Sequence, residues 1–314
     1  MGFAMLFVVL FHFNYPTTSR ILSYCNTFGY GGVDIFIFAS GIGNYHSYLK
    51  DASPLSFLSR KIKRLAPTYI PFIIVWIPTM LILGKLDSNS IIGNLFGIQG
   101  LSSSGHEFNW FITCILICYI LTPYFASFVY KHSLSASLLL VMVLIVLSSV
   151  FWNDNQQIIS VCRLPLYVIG MCFAKYENYK LNWVHYVISL LLSTLGFSTL
   201  IYSLKHVPNL LWSHGLHWYP FIVIAPTLCI ILSKLLDALN SVKCPVPETV
   251  FNIVGKHSFE IFLSHIAIFG AVRAASAQLT IISERALWII GVIVVFPAAA
   301  FLSFVSNHAT RIIK

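Results

Sequence analysis

Charge is what this sequence has least of: Asp, Glu, Lys and Arg together make up 9% of its 314 residues, where soluble globular domains carry roughly a quarter. That scarcity excludes a water-facing surface over most of the chain, so lipid is the expected solvent for much of it. Acidic residues are scarcest, 10 against 19 Lys and Arg, for a formal net charge of +9. A basic surplus of this size would suit nucleic acid if it formed a face. Here the basic residues fall in the gaps between apolar runs, which is a topology signal, and nucleic acid is not an expected partner. A cysteine framework is also missing. The seven Cys lie mostly inside apolar runs, with Cys114 and Cys118 one turn apart and no zinc-type spacing. They read as small packing residues, and no metal site is expected. Internal repeats, low-complexity tracts and room for a soluble domain are lacking, so 1–314 reads as a single integral membrane domain. With no basic n-region and no small-residue cleavage site, a cleaved signal peptide is not expected either.

What is abundant is apolar sequence, 58% of residues with a mean hydropathy of +0.83. Runs near the ~20 residues that span a hydrocarbon core place helices at about 1–15, 29–49, 66–84, 108–130, 134–152, 157–175, 181–203, 217–238, 257–277 and 285–307. The expected fold is therefore all-α, a polytopic transmembrane bundle of about ten helices. A stretch near 90–98 is too brief to span, and its Gly and Asn suggest a re-entrant or interfacial turn. With a cytoplasmic N-terminus, the inner side would hold Lys50, Arg60, Lys61, Lys63, Arg64, Lys131, Lys175, Lys180, Lys234, Lys243, Lys256, Arg311 and Lys314. The outer side would hold only Arg20, Lys85, Lys205, Arg273 and Arg285, an asymmetry that favours this orientation. From Met1 to Tyr15 the first helix would reach only about 22 Å against a core of ~30 Å, so its cytoplasmic beginning is expected to be missing.

Ionisable groups inside a bilayer are costly, which makes each a functional candidate. His12, in LFVVLFHFNY, could act as a general base near neutral pH or simply hydrogen-bond a neighbouring helix. Asp34 follows a glycine run in FGYGGVDIFIFASG; it could orient an imidazole, cap its helix or pair with Arg163. Arg163, in CRLPLYVIG, needs an anionic partner: phosphate, carboxylate, Asp34 or Glu260. Glu260 and His265, in GKHSFEIFLSH, stand five residues apart on neighbouring faces of one helix. The loop before the third helix, SRKIKRLAP, gathers Arg60, Lys61, Lys63 and Arg64, either as a topogenic signal or as a seat for nucleotide phosphates. His46 and Asp51 form an H-x4-D pattern. It is set aside as a catalytic dyad because it ends a membrane span and no phosphate-binding motif follows.

Taken in order, GFAMLFVVLFH, GYGGVDIFIFASG, FLSRKIKRLAPTY, NWFITCILICYILTP, RLPLYVIG and GKHSFEIFLSH resemble the integral membrane acyltransferases of acyltransferase family 3. These O-acylate bacterial surface glycans and related acceptors. The likeness covers nearly the whole chain. It implies that His12 is the family's essential histidine, that Arg60 and Arg64 are its basic motif, that Trp110 opens the fourth helix, and that Arg163 and His265 belong to later motifs. The family's Arg or Lys eleven places before the histidine falls on Met1, a departure that accords with a truncated first helix.

The resemblance further implies an acyl-coenzyme A donor, acetyl by default, entering from the cytoplasm, and a glycan or lipid-linked saccharide acceptor on the outer side of a bacterial inner membrane. On that reading the basic cluster holds the coenzyme A phosphates. His12 then deprotonates the acceptor hydroxyl or transiently takes the acyl group, with Asp34 as orienting carboxylate and Arg163 near anionic charge. Membrane lipid is the remaining partner. Two rival classes are a transporter or flippase, whose buried charges would line a path, and a non-catalytic family member, which the residue at Met1 would suit.

Overall fold

The computed structural model describes residues 1–13, 20–101, 109–150, 159–207, 217–276 and 283–313. Within them every regular element is helical: α1 Gly2–His12, α2 Arg20–Phe28, α3 Gly31–Leu49, α4 Pro54–Ile82, α5 Ser88–Leu95 and a 3₁₀ turn at Gln99–Leu101. There follow α6 Asn109–Lys131, α7 Leu134–Val150, α8 Leu164–Lys175, α9 Trp183–His206, α10 Phe221–Ser241, α11 Val246–Lys256, α12 Ser258–Ser276 and α13 Glu284–Ile313.

Among the described residues, six helices are long and apolar enough to cross a bilayer: α4, α6, α9, α10, α12 and α13. Their outward side chains, such as Leu191 and Leu195 on α9 or Phe301 and Phe304 on α13, are exposed hydrophobics that only lipid would solvate. The chain is thus a multi-pass membrane protein. The count of about ten rests on further, weaker segments. α1 and α7 are apolar but only 11 and 17 residues long, and α3 carries Asp34, Asn44 and His46 along its length.

Two boundaries and three short helices differ from expectation. α4 begins at Pro54, so the basic cluster lies on a helix and not in a loop. Its Lys and Arg stems can run along the helix toward the headgroups, so charge does not oblige the helix to stop. The segment expected at 157–175 is interrupted by a turn at Cys162 and Arg163, and α8 starts behind them with Pro165 in its first turn, where a missing N–H costs nothing. α2, α5 and α11 are short helices that no spanning run announced.

The described residues form two compact units, each discontinuous in sequence. The first comprises Met1–Val33, Ile62–Ile91 and Pro245–Lys314. Here α1 lies against the Gly29–Gly32 segment: a Cβ on Gly29 would sit 2.5 Å from the Phe7 carbonyl oxygen and 2.7 Å from Phe11 Cβ, and one on Gly32 would collide with the Ala4 carbonyl oxygen. Small residues thus let backbones approach where lipid supplies no hydrophobic drive for helices to associate.

The second unit comprises Asp34–Lys61 and Ile92–Cys244. α3 and α8 meet at Gly41 and Gly170, where an added Cβ on either would strike the backbone of the other helix. Beside that crossing Asn44 Nδ2 donates to Tyr167 Oη at 2.8 Å, and Tyr167 Oη shares a hydrogen bond with Thr122 Oγ1 at 2.6 Å. α9 and α10 are joined similarly, with Ser193 Oγ donating to Thr227 Oγ1 at 2.8 Å. Such interhelical bonds are worth about 0.6–2 kcal/mol each in a membrane.

Candidate active site

In the first unit, α1 ends on His12, whose ring abuts Phe11 edge to face. His12 Nδ1 lies 2.9 Å from the Val8 carbonyl oxygen and 3.2 Å from Nε2 of His265 on α12. The two imidazoles meet edge to face with centroids 4.8 Å apart. His265 is fully buried, its Nδ1 is 3.1 Å from the Ile261 carbonyl oxygen, and Phe262 and Phe269 pack against its ring. Trp288 on α13 closes the group against Phe269 and Phe13. Among the described residues no hydrogen bond reaches His12 Nε2, so a half-buried imidazole presents one ring nitrogen from an aromatic nest. Among the described residues, Arg273 on α12 is a charged side chain near enough to act on it electrostatically.

Glu260 sits near the start of α12. Thr68 Oγ1 on α4 donates to its Oε1 at 3.3 Å, and Thr68 Oγ1 in turn hydrogen-bonds Ser306 Oγ on α13 at 2.8 Å. This carboxylate therefore ties three helices of the unit together.

In the second unit, Asp34 and Arg163 form a buried ion pair, Oδ1 to Nε 3.2 Å, with the side chains only 1% and 2% exposed. Arg163 Nη1 donates to the Ile159 carbonyl at 3.0 Å, which the turn before α8 makes possible. The guanidinium lies over two indoles, Trp110 at 4.6 Å and Trp218 at 5.4 Å from the ring centroids, where the negative π faces attract it. Of the roles open to Asp34, the one realised within this unit is pairing with Arg163. Its Oδ2 is buried and has no hydrogen-bond partner among the described residues.

The basic cluster divides. Arg60 is engaged, its Nη1 2.6 Å from Asp51 Oδ2, with Ser56 bonded to the same carboxylate oxygen. Those bonds from Ser56 and Arg60 hold the Asp51 carboxyl below the usual carboxylate range. Lys61 Nζ rests 5.0 Å over the Phe57 ring. Lys63 and Arg64 are exposed and make no ion pair among the described residues. The H-x4-D residues do not meet: His46 Nε2 turns to Glu177 at 3.2 Å and Asp51 to Arg60. Among the described residues no three of His, Cys, Asp and Glu are grouped to hold a metal ion.

Trp218 and the buried His217 beside it, like Thr68 and Ser306, were not singled out from the sequence. HWYP just ahead of an apolar run was the available signal for the first pair. Nothing in sequence marks the second.

A multi-pass membrane protein with a paired intramembrane imidazole and an exposed basic helix face is the class these features define. A family model described as acyltransferase domain matches residues 2–307, and the chain belongs to acyltransferase family 3. It is a membrane acyltransferase. No curated protein and no solved structure matches it.

Proposed function

We propose that this protein moves an acyl group, acetyl by default, from cytoplasmic acyl-coenzyme A to a hydroxyl of a cell-surface glycan or a lipid-linked glycan precursor, in a bacterial inner membrane and with its N-terminus inside. The observation that carries the reading is His12, an imidazole at the end of the apolar helix α1 whose Nε2 takes no hydrogen bond among the described residues, in a chain of this family.

The donor's phosphates bind at the exposed face of α4, where Lys63 and Arg64 make no ion pair among the described residues, with Arg60 and Lys61 earlier on the same helix. The pantetheine arm then carries the thioester inward to His12. There His12 Nε2 removes the proton from the acceptor hydroxyl as its oxygen attacks the thioester carbon. The carbon–sulfur bond breaks, and the proton passes to the departing thiolate. The nest of Phe11, Phe262, Phe269 and Trp288 keeps water from competing with the acceptor for the acyl group. The Asp34–Arg163 pair, braced by Trp110 and Trp218, serves as a fixed polar strut within its own unit.

Mass spectrometry of surface glycans from cells with and without this protein tests the proposal. A mass difference of one acyl group per modified residue supports it and names both group and acceptor. Identical glycan profiles, with the protein present at normal abundance, would refute it.

A further inference from the structure

The hydrogen bonds around His12 fix more than its position. A carbonyl oxygen only accepts, so the 2.9 Å contact from His12 Nδ1 to the Val8 carbonyl requires a proton on Nδ1. By the same rule the 3.1 Å contact from His265 Nδ1 to the Ile261 carbonyl puts the His265 proton on Nδ1. In a neutral His265 the other nitrogen, Nε2, is then a bare acceptor, and it lies 3.2 Å from His12 Nδ1. The His12 Nδ1–H is thus shared between two acceptors, a three-centre arrangement common near helix ends. The remaining nitrogen, His12 Nε2, must carry the lone pair.

We propose that His265 is a positioning residue that locks His12 in the Nδ1–H tautomer and stabilises the imidazolium formed during acyl transfer, filling with a neutral ring the place that a carboxylate holds in a serine-protease triad. This deepens the proposed function and rests on it. As the acceptor's oxygen forms its bond to the thioester carbon, its proton goes to His12 Nε2. The cationic ring keeps its Nδ1–H on His265 Nε2 and the Val8 carbonyl. The proton then leaves Nε2 for the thiolate, and His265 gains and loses none. Full burial and rings on both sides leave His265 little freedom to turn its Nε2 elsewhere.

The test pairs a spectroscopic readout with two variants. Nitrogen NMR of histidine-labelled protein in bilayers, with the His12→Ala spectrum subtracted, is expected to show His12 protonated at Nδ1 and bare at Nε2. His265→Leu is expected to lower kcat about 100-fold, the scale of a lost acid–base arrangement, with the donor KM unchanged. His265→Gln, whose amide oxygen can accept the same bond, should recover to within about tenfold of wild type. A His12 protonated at Nε2 in the resting protein would overturn the proposal, as would equal rates for the Leu and Gln variants. The NMR result stands whether or not His12 proves essential, so failure here is separable from failure of the acyltransfer reading.

Discussion

Removing the carboxylate of Asp34 while keeping its shape isolates one charge. In Asp34→Asn the Arg163 guanidinium stays buried, at 2% exposure, without its counter-charge. At 3.2 Å and an effective dielectric of about 20, the lost attraction is about 5 kcal/mol before solvation is counted. Removing one partner of a buried pair costs about 3–5 kcal/mol in practice. Here the lower end applies, because Trp110 and Trp218 still face the cation and supply about 1–2 kcal/mol each. A loss of about 3 kcal/mol is a change of about 100-fold in the folding equilibrium. Arg163→Met should cost as much for the mirror-image reason. The double variant Asp34→Asn, Arg163→Met should cost less than the sum of the two single variants, since neither charge is then left buried without its partner. The assay is equilibrium unfolding in mixed micelles followed by tryptophan fluorescence. Coupling within about 0.5 kcal/mol of zero would mean that the two groups do not depend on each other, and the strut interpretation would be lost.

On the face of α4, the Lys63→Glu, Arg64→Glu variant is expected to raise the KM for acyl-coenzyme A about tenfold, from two surface charges each reversed, while kcat stays within about twofold. The KM difference should shrink as salt rises, and a salt-independent difference would argue against phosphate binding there. In the first unit, Gly32→Val is expected to lower the yield of folded protein, at about 1–3 kcal/mol for overpacking, because its Cβ meets the Ala4 backbone. Normal folding with full activity would show that α1 does not need that close approach.

Hydropathy made the spanning helices legible, because Leu, Ile, Val and Phe over some twenty residues have few other uses. It stayed silent where helix and apolarity part company. The start of α4 carries Arg60, Lys61, Lys63 and Arg64, which favour helix as well as Leu does yet lower the mean hydropathy, so the helix was placed twelve residues late. α2 and α11 are short and mixed in character, so only tertiary structure reveals them. Asp34 and Arg163 were recognisable as candidate partners because buried opposite charges seek each other. His12 and His265, 253 residues apart, each looked like an isolated polar group in an apolar run. Their pairing depends on how α1 and α12 are packed, and a neutral pair leaves no charge pattern to read. The basic cluster was visible as composition, but the engagement of Arg60, in contrast to Lys63 and Arg64, which make no ion pair among the described residues, turns on Asp51 and Ser56 lying within its reach.

The most direct measurement is acyl transfer from labelled acetyl-coenzyme A by wild-type and His12→Ala protein, reconstituted at equal abundance with cell-derived glycan acceptors. Loss of turnover by a factor of about 100 or more, with donor binding retained, is the outcome expected if the Nε2 of that imidazole moves the proton. Turnover by the alanine protein at the wild-type rate would contradict it.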